Sequence, residues 1–282
     1  MILYTGGCDL DDYITDAENV LDVQGWSKEN FHGASASFYS NETFFGFKFL
    51  MKLFNDTFAG SVRRQHLINR EIKILNVCTE NDLSGFPRLY GSGEIEGDDY
   101  LIMNFFQGRE VVKLISDPNF DRSSFIPYLP QLADDIGGLH GVDYIHRDIK
   151  PANLLLLEDG FRIVDLGIAV SVDGDFRIGR TAGTPGYMSP EHCDGLKLSP
   201  TSDVYALGMT LYQMLFGKHP FFKATSTKEV MNWQINKMPR PLSEFVFVPE
   251  GLSRVVMKAL AKYPDDRFRN GHEMADALAR VC

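Results

Sequence analysis

The sequence predicts an α+β fold, with strands gathered in roughly the first 110 residues and helices dominating the rest. Three observations predict it. Residues 44–50 alternate about Lys48, and 98–104 close on an apolar core, both at strand length. Leu67, Ile68, Ile72 and Leu75 recur at helical intervals within 62–77, as do Ile126, Leu129, Leu132, Ile136 and Leu139 within 125–140. At 282 residues and 44% hydrophobic content the chain can bury a sizeable core, as one large domain or two lobes.

Charge and cysteine usage exclude several classes. A net charge of -10, from 28 basic and 38 acidic residues, leaves no extended basic footprint for nucleic acid. Cys8, Cys78, Cys193 and Cys282 are scattered without metal-ligand spacing, which predicts free thiols in a reducing compartment. Residues 1–7 lack the basic start and long apolar core of a signal peptide. The apolar run 204–216 is too short to span a bilayer and contains Thr210 and Gln213, so it predicts a buried helix. A cytoplasmic protein without membrane partners is expected.

Taken in order, Asp9, Asp11 and Asp12 precede Tyr13, Ile14, Val20 and Leu21, which predicts a short acidic-capped helix packed on the body. The stretch 31–39 is rich in small residues, and 44–50 reads as a strand. The helix over 62–77 is followed by a polar turn over 76–87 and a new strand from Leu89-Tyr90. Residues 98–108 read as a buried strand and loop. A helix over 125–140 then delivers the chain to its most chemical stretch, and 252–281 reads as two closing amphipathic helices.

That stretch is His146-Arg147-Asp148-Ile149-Lys150-Pro151-Ala152-Asn153, running straight into Leu154-Leu155-Leu156-Leu157. Pro151 blocks helix continuation and Ala152-Asn153 suits a turn, so a rigid loop enters a short buried strand. Asp148, Lys150 and Asn153 can then converge. A carboxylate to take a hydroxyl proton, an ammonium to steady phosphate charge and an amide to hold Mg²⁺ suit phosphoryl transfer. For these residues alone, a chance polar loop is the plain alternative. Further motifs follow in order: Asp165-Leu166-Gly167 after a turn at Glu158-Asp159-Gly160, then Gly183-Thr184-Pro185-Gly186-Tyr187-Met188-Ser189-Pro190-Glu191, Ser202-Asp203 and Asp265-Asp266-Arg267. Together, over about residues 31–280, they resemble the protein kinase family.

The resemblance implies a two-lobed protein-kinase-like fold. An N-terminal extension (1–30) precedes a small β-sheet lobe with one regulatory helix (31–107) and a larger, mainly helical lobe (108–282). ATP and Mg²⁺ are the implied cofactors. A glycine-rich loop aligned on Gly33 carries Ser35 and Phe38 where the pattern has its second and third glycines. Lys48 is expected on the α- and β-phosphates, paired with Glu71, and Gly46 beneath the adenine. Met103 is expected behind the adenine, the backbone of Asn104 and Phe106 at its edge, and Leu155 among the nucleotide contacts. Glu110 would meet ribose or substrate. Asp165 and Asn153 are the implied metal ligands, Asp148 the base, and Lys150 and Thr184 its partners. Asp203 is expected to anchor the catalytic loop through its N–H groups, and Glu191 to form a buried structural pair with Arg267. Arg147 is expected to receive an activation-segment phosphate on Thr181, near Arg177 and Arg180, with Ser171 the next candidate.

Lys150 and Gly183-Thr184 resemble the serine/threonine branch, which implies transfer of the ATP γ-phosphate to protein hydroxyls, with autophosphorylation of the activation segment. A scaffolding pseudokinase is the alternative, motivated by Ser35, Phe38 and Gly46. A small-molecule kinase is a third, against which the peptide-docking Gly-Thr and Ser-Pro-Glu segment weighs.

Overall fold

The computed structural model describes residues 27–29, 36–42, 48–54, 62–95, 98–174, 182–245 and 248–282. The strand-forming residues of the N-terminal part build one antiparallel sheet. It comprises β1 (Ser27–Glu29), β2 (Ser37–Glu42), β3 (Lys48–Leu53), β4 (Leu89–Ile95) and β5 (Asp98–Asn104), in the order β1-β2-β3-β5-β4. Alternation assigns the two faces. Phe49, Met51, Tyr100 and Ile102 form a cluster on one side, where Phe49 meets the Tyr90 ring edge-on at 5.1 Å. Leu50 lies opposite Met103 and Lys52 opposite Leu101, on the face that looks toward α1 (Val62–Glu80) and the cleft below it. The sheet begins ahead of the expected boundary at residue 31, and β3 runs beyond the expected end at residue 50. The helix expected within the first thirty residues lies outside the described residues.

The rest is mainly helical. α5 (Pro200–Phe216) is apolar on every side, and each residue from Ser202 to Tyr212 is buried, so it forms the axis of this lobe. Ser199 and Ser202 cap its start reciprocally, and Gly217, at φ 83°, ends it in the left-handed conformation that glycine tolerates. The helix expected over 125–140 is split. Arg122–Tyr128 is a 3₁₀ stretch, and α3 (Leu129–Gly141) starts only afterwards. Pro127 sits inside the tighter stretch and Pro130 at the first turn of α3, where a missing N–H breaks no helical bond. Around α5 lie α2 (Val111–Ser116), α4 (Pro190–Cys193), α6 (Thr227–Asn236), α7 (Glu250–Ala259) and α8 (Gly271–Leu278).

Three short antiparallel pairings bring the polar loops under the sheet. β6 (Arg109–Glu110) pairs with β8 (Leu154–Leu157), which turns into β9 (Gly160–Ile163) through Gly160 at φ 131°. β7 (Tyr144–Ile145) pairs with β10 (Val170–Ser171). The expected Glu191–Arg267 pair forms as a bidentate bridge, with both N···O distances 2.8 Å and both residues buried. Cys78, Cys193 and Cys282 are free thiols, as expected of them.

Candidate active site

Between the sheet and the helical lobe lies a cleft of ≈ 390 Å³. Phe38, Leu50 and Lys52 line it from the sheet, and Glu71 from α1. Met103 lies behind, and Asn104, Phe105 and Phe106 line the connection to β6. Glu110, Lys150, Asn153, Leu155, Val164 and Asp165 complete the lower side. Thus Met103, Asn104, Phe106, Glu110 and Leu155 all reach the cavity where nucleotide contacts were expected. Among the described residues, Phe38 lines the cleft as a wall and does not fill it. Gly33 and Ser35 lie outside the described residues.

The expected lysine requires correction. Glu71 accepts from Lys52 Nζ at 2.6 Å, not from Lys48, and both partners are largely shielded. Lys48 is not among the cleft-lining residues; its Nζ sits 4.7 Å from the Phe105 ring centre, and its carbonyl accepts from Phe105 N at 2.9 Å. Lys48 therefore clips the sheet to the chain connecting the two lobes. The two lysines are four positions apart on one strand, so they share a face, and period-two patterning cannot tell them apart. Leu50 stands two residues before Lys52 and lines the cleft, a place that the sequence reading gave to Gly46, which lies outside the described residues. Burial opposes the charge on Lys52, but Glu71 and Asp165 overcome it and raise its pKa.

Asp148, Lys150, Asn153 and Thr184 converge. Lys150 Nζ donates to Asp148 Oδ2 at 2.5 Å and to Thr184 Oγ1 at 2.7 Å. Asp148 Oδ1 accepts from Thr184 Oγ1 at 2.7 Å and from Thr184 N at 3.0 Å. Asn153 Nδ2 donates to Asp148 O at 2.9 Å and to Oδ2 at 3.2 Å. The amide carbonyl of Asn153 is thus the end directed away from Asp148. Asn153 O also accepts from Val164 N at 3.0 Å, which ties the loop to the strand that delivers Asp165. Burial opposes ionisation of Asp165, yet Lys52 and the Gly167 N–H hold its carboxyl below the usual range.

The loop itself is strained and braced. Arg147 sits at φ 72°, a left-handed conformation that costs a non-glycine residue energy. Asp203, fully buried, accepts from His146 N at 2.6 Å and Arg147 N at 2.9 Å, the anchoring expected of it. His140 Nε2 donates to Asp203 Oδ2 at 3.1 Å, because its Nδ1 already accepts from Gly271 N. Arg147 Nη2 reaches Ala182 O at 3.4 Å, and Thr181, Arg177 and Arg180 lie outside the described residues.

Sequence reading missed Arg70. Its Nη2 donates to Gly167 O at 2.8 Å, so neighbouring residues of α1 hold the lysine of the sheet and the turn after Asp165. Gly167 has little room for a side chain, since a Cβ there would approach Asp165 Oδ1 at 3.1 Å. Nothing in the Arg70-Glu71 dipeptide separates this role from that of a solvated helix face.

The family model described as the protein kinase domain matches residues 40–276. The chain is 28% identical over 263 residues to serine/threonine-protein kinase pkn2 of Myxococcus xanthus, covering 88% of this chain and 31% of that protein. It is 32% identical over 187 residues to serine/threonine-protein kinase Pkn1 of the same organism, covering 64% and 27%. It is also 31% identical over 203 residues to serine/threonine-protein kinase PknB of Mycobacterium leprae, covering 68% and 32%. The matched region is thus about a third of these relatives' length.

Proposed function

The chain belongs to the protein kinase family, and from that premise we propose that it is a serine/threonine protein kinase transferring the ATP γ-phosphate to protein hydroxyls. One observation carries the reading. The Asp148 carboxylate, bound by Lys150 and Thr184, sits at the edge of a cleft lined by Asp165, Asn153 and the Lys52–Glu71 pair. The donor set suits Mg²⁺: a carboxylate held ionised at Asp165 and an amide oxygen at Asn153 are hard oxygen ligands, to be completed by phosphate and water. Such an ion, when bound, neutralises charge on the transferring phosphate.

The chain's own residues supply the rest. Lys52, directed by Glu71, binds the α- and β-phosphates in place of Lys48. The backbone of Asn104 and Phe106 meets the adenine edge, Met103 and Leu155 pack near it, and Glu110 meets ribose or substrate. Asp148 orients the acceptor hydroxyl and takes its proton late, while Lys150 steadies the phosphate charge. Thr184 fixes the rotamer of Asp148 from the acceptor side. Relatives whose printed names say serine/threonine-protein kinase support the acceptor class. The small lobe before residue 108 and the helical lobe after it act as the two jaws of this site. Among the described residues no helix is long and apolar enough to cross a membrane; cytoplasmic placement and protein substrates belong to the same reading. The Lys52–Glu71 pair and the open cleft weigh against a pseudokinase.

The test is incorporation of labelled phosphate into the protein itself and into histone with Mg-ATP, followed by phosphoamino-acid analysis. Phosphoserine or phosphothreonine is expected, with Asp148→Asn and Asp165→Asn each lowering turnover about 10²–10⁴-fold without loss of the fold. An Asp148→Asn variant with full turnover removes Asp148 from the base role.

A further inference from the structure

Residues 184–187 form a turn closed by Tyr187 N donating to Thr184 O at 2.9 Å. Its first residue, Thr184, holds Asp148. Its corner carbonyl, Gly186 O, is held from behind by His219 Nε2 at 2.7 Å and by Gln234 Nε2. Tyr187 crosses the His219 ring edge-on at 5.4 Å, and its hydroxyl donates to Gln213 Oε1. The turn is therefore gripped on two sides, by the candidate base in front and by the segment after α5 behind.

The state of His219 follows from its second contact. Phe221 N, a backbone donor, points at His219 Nδ1 at 3.1 Å. Nδ1 must accept, so the single proton of the neutral ring is on Nε2, where it donates to Gly186 O. A second proton would have to enter at Nδ1 and face the Phe221 N–H, donor against donor. Proton uptake thus requires residues 219–221 to shift and loosens the grip on Gly186.

We propose that neutral His219 is a positioning residue for the protein acceptor: it braces the Thr184–Tyr187 turn so that the acceptor hydroxyl meets Asp148. The inference rests on the kinase reading above and deepens its acceptor side. Among the described residues, the groups facing the ring are Tyr187 from the turn, whose phenol burial pushes up, Gln234 from α6, which does not ionise but shares the Gly186 carbonyl, and Phe221 from its own segment. Lys218 precedes His219 on its own segment and lies exposed. Burial holds the imidazole below its usual range, against the opposing pull of the Gly186 carbonyl.

Two readouts decide the matter. The first needs no catalysis: amide hydrogen exchange across 182–188 in wild type, His219→Ala and His219→Gln, with 129–141 as internal reference. Exchange at 186–188 should be about tenfold faster in the Ala variant and near wild type in the Gln variant, which retains an amide donor. The second is steady-state phosphorylation of histone. The Ala variant should raise the KM for histone about tenfold, with the KM for ATP unchanged, and Gln should recover most of the loss. The wild-type KM for histone should rise as pH falls below 6.5, the ordinary imidazole value, while that of the Gln variant stays flat. Unchanged exchange at 186–188 overturns the brace. Faster exchange with equal losses in both KM values overturns its acceptor-specific role. Wild-type protein that transfers no phosphate, yet shows the exchange difference, refutes the kinase reading and the acceptor role while leaving the contact itself demonstrated.

Discussion

Lys52 stands between two carboxylates, Glu71 and Asp165, and its own side chain and that of Glu71 are largely shielded from water. A cation so placed is held charged and pointed, which is what binding of a polyphosphate requires. Lys48 on the same strand lies over an aromatic ring at the edge, where it contributes packing. The pair makes a sharp prediction for phosphate incorporation at saturating histone. Lys52→Ala should lower kcat/KM for ATP by about 10²-fold or more, and Lys48→Ala by less than about threefold. The reverse ranking returns the phosphate role to Lys48. The reason that sequence alone selects the wrong lysine is specific. No sequence signal ahead of β3 fixes its register, and a shift by four keeps every side chain on its face. By contrast, Asp148, Lys150 and Asn153 are legible because the loop that unites them is contiguous and Pro151 fixes its turn. Thr184 is remote in sequence, and its place beside Asp148 comes from the family resemblance, not from local pattern.

At the scale of the element, α1 acts as a two-ended clamp. Residues 70 and 71 are adjacent and so point in different directions around the helix. Glu71 reaches up to the sheet and Arg70 reaches across to Gly167 O, which fixes α1 against both halves of the cleft. Removing Arg70 should let the turn after Asp165 drift without unfolding the lobe, whose core lies elsewhere. Arg70→Ala is expected to lower kcat about tenfold and to lower the melting temperature by only a few degrees, consistent with loss of one charge-assisted hydrogen bond of about 1.5–3 kcal/mol. Arg70→Lys should recover part of the loss. A variant with normal kcat and a reduced melting temperature would make Arg70 a structural residue only. Helices such as α1 and α5 were readable from apolar spacing alone; the end signals of α5, Ser199 and Gly217, lie outside the run 204–216 that the spacing marks. The 125–140 segment was misread because its apolar spacing continues through Pro127, although the proline forces a tighter turn there. Direction around a helix, which decides the partner of Arg70, is a tertiary fact with no local signature.

Across the whole molecule, Glu191 and Arg267 join segments 76 residues apart and tie the stretch that carries Thr184 to the C-terminal helices. Every donor of Arg267 is used: two go to Glu191, and others reach the carbonyls of Ala261, Thr201 and Lys262 at 2.7–3.0 Å. Ser202 Oγ adds a bond to Glu191 Oε1 at 2.7 Å. Burial disfavours the charged carboxylate, yet Arg267 and Ser202 outweigh it and depress the Glu191 pKa below 4.5. A depressed carboxylate contributes stability that is fully present above its unfolded pKa and lost as pH falls through the folded one. The contribution of Glu191 to the melting temperature should therefore hold above pH 4.5 and decline below it. Glu191→Gln leaves the Arg267 charge buried without its counter-ion, at an expected cost of about 3–5 kcal/mol at pH 7. The same substitution should make the acid decline shallower by the Glu191 share, because that titrating group is gone while Asp203 and Asp165 still titrate. Pairing Glu191→Leu with Arg267→Met should recover much of that loss, since no charge is then left buried alone, and the two single changes should be strongly non-additive. Thermal melts of the five proteins (wild type, Glu191→Gln, Glu191→Leu, Arg267→Met and the double variant) from pH 7 to pH 3 check all of this. A Glu191→Gln variant as stable as wild type at pH 7, or one with an unchanged acid limb, would show that the bridge is not what ties these segments together.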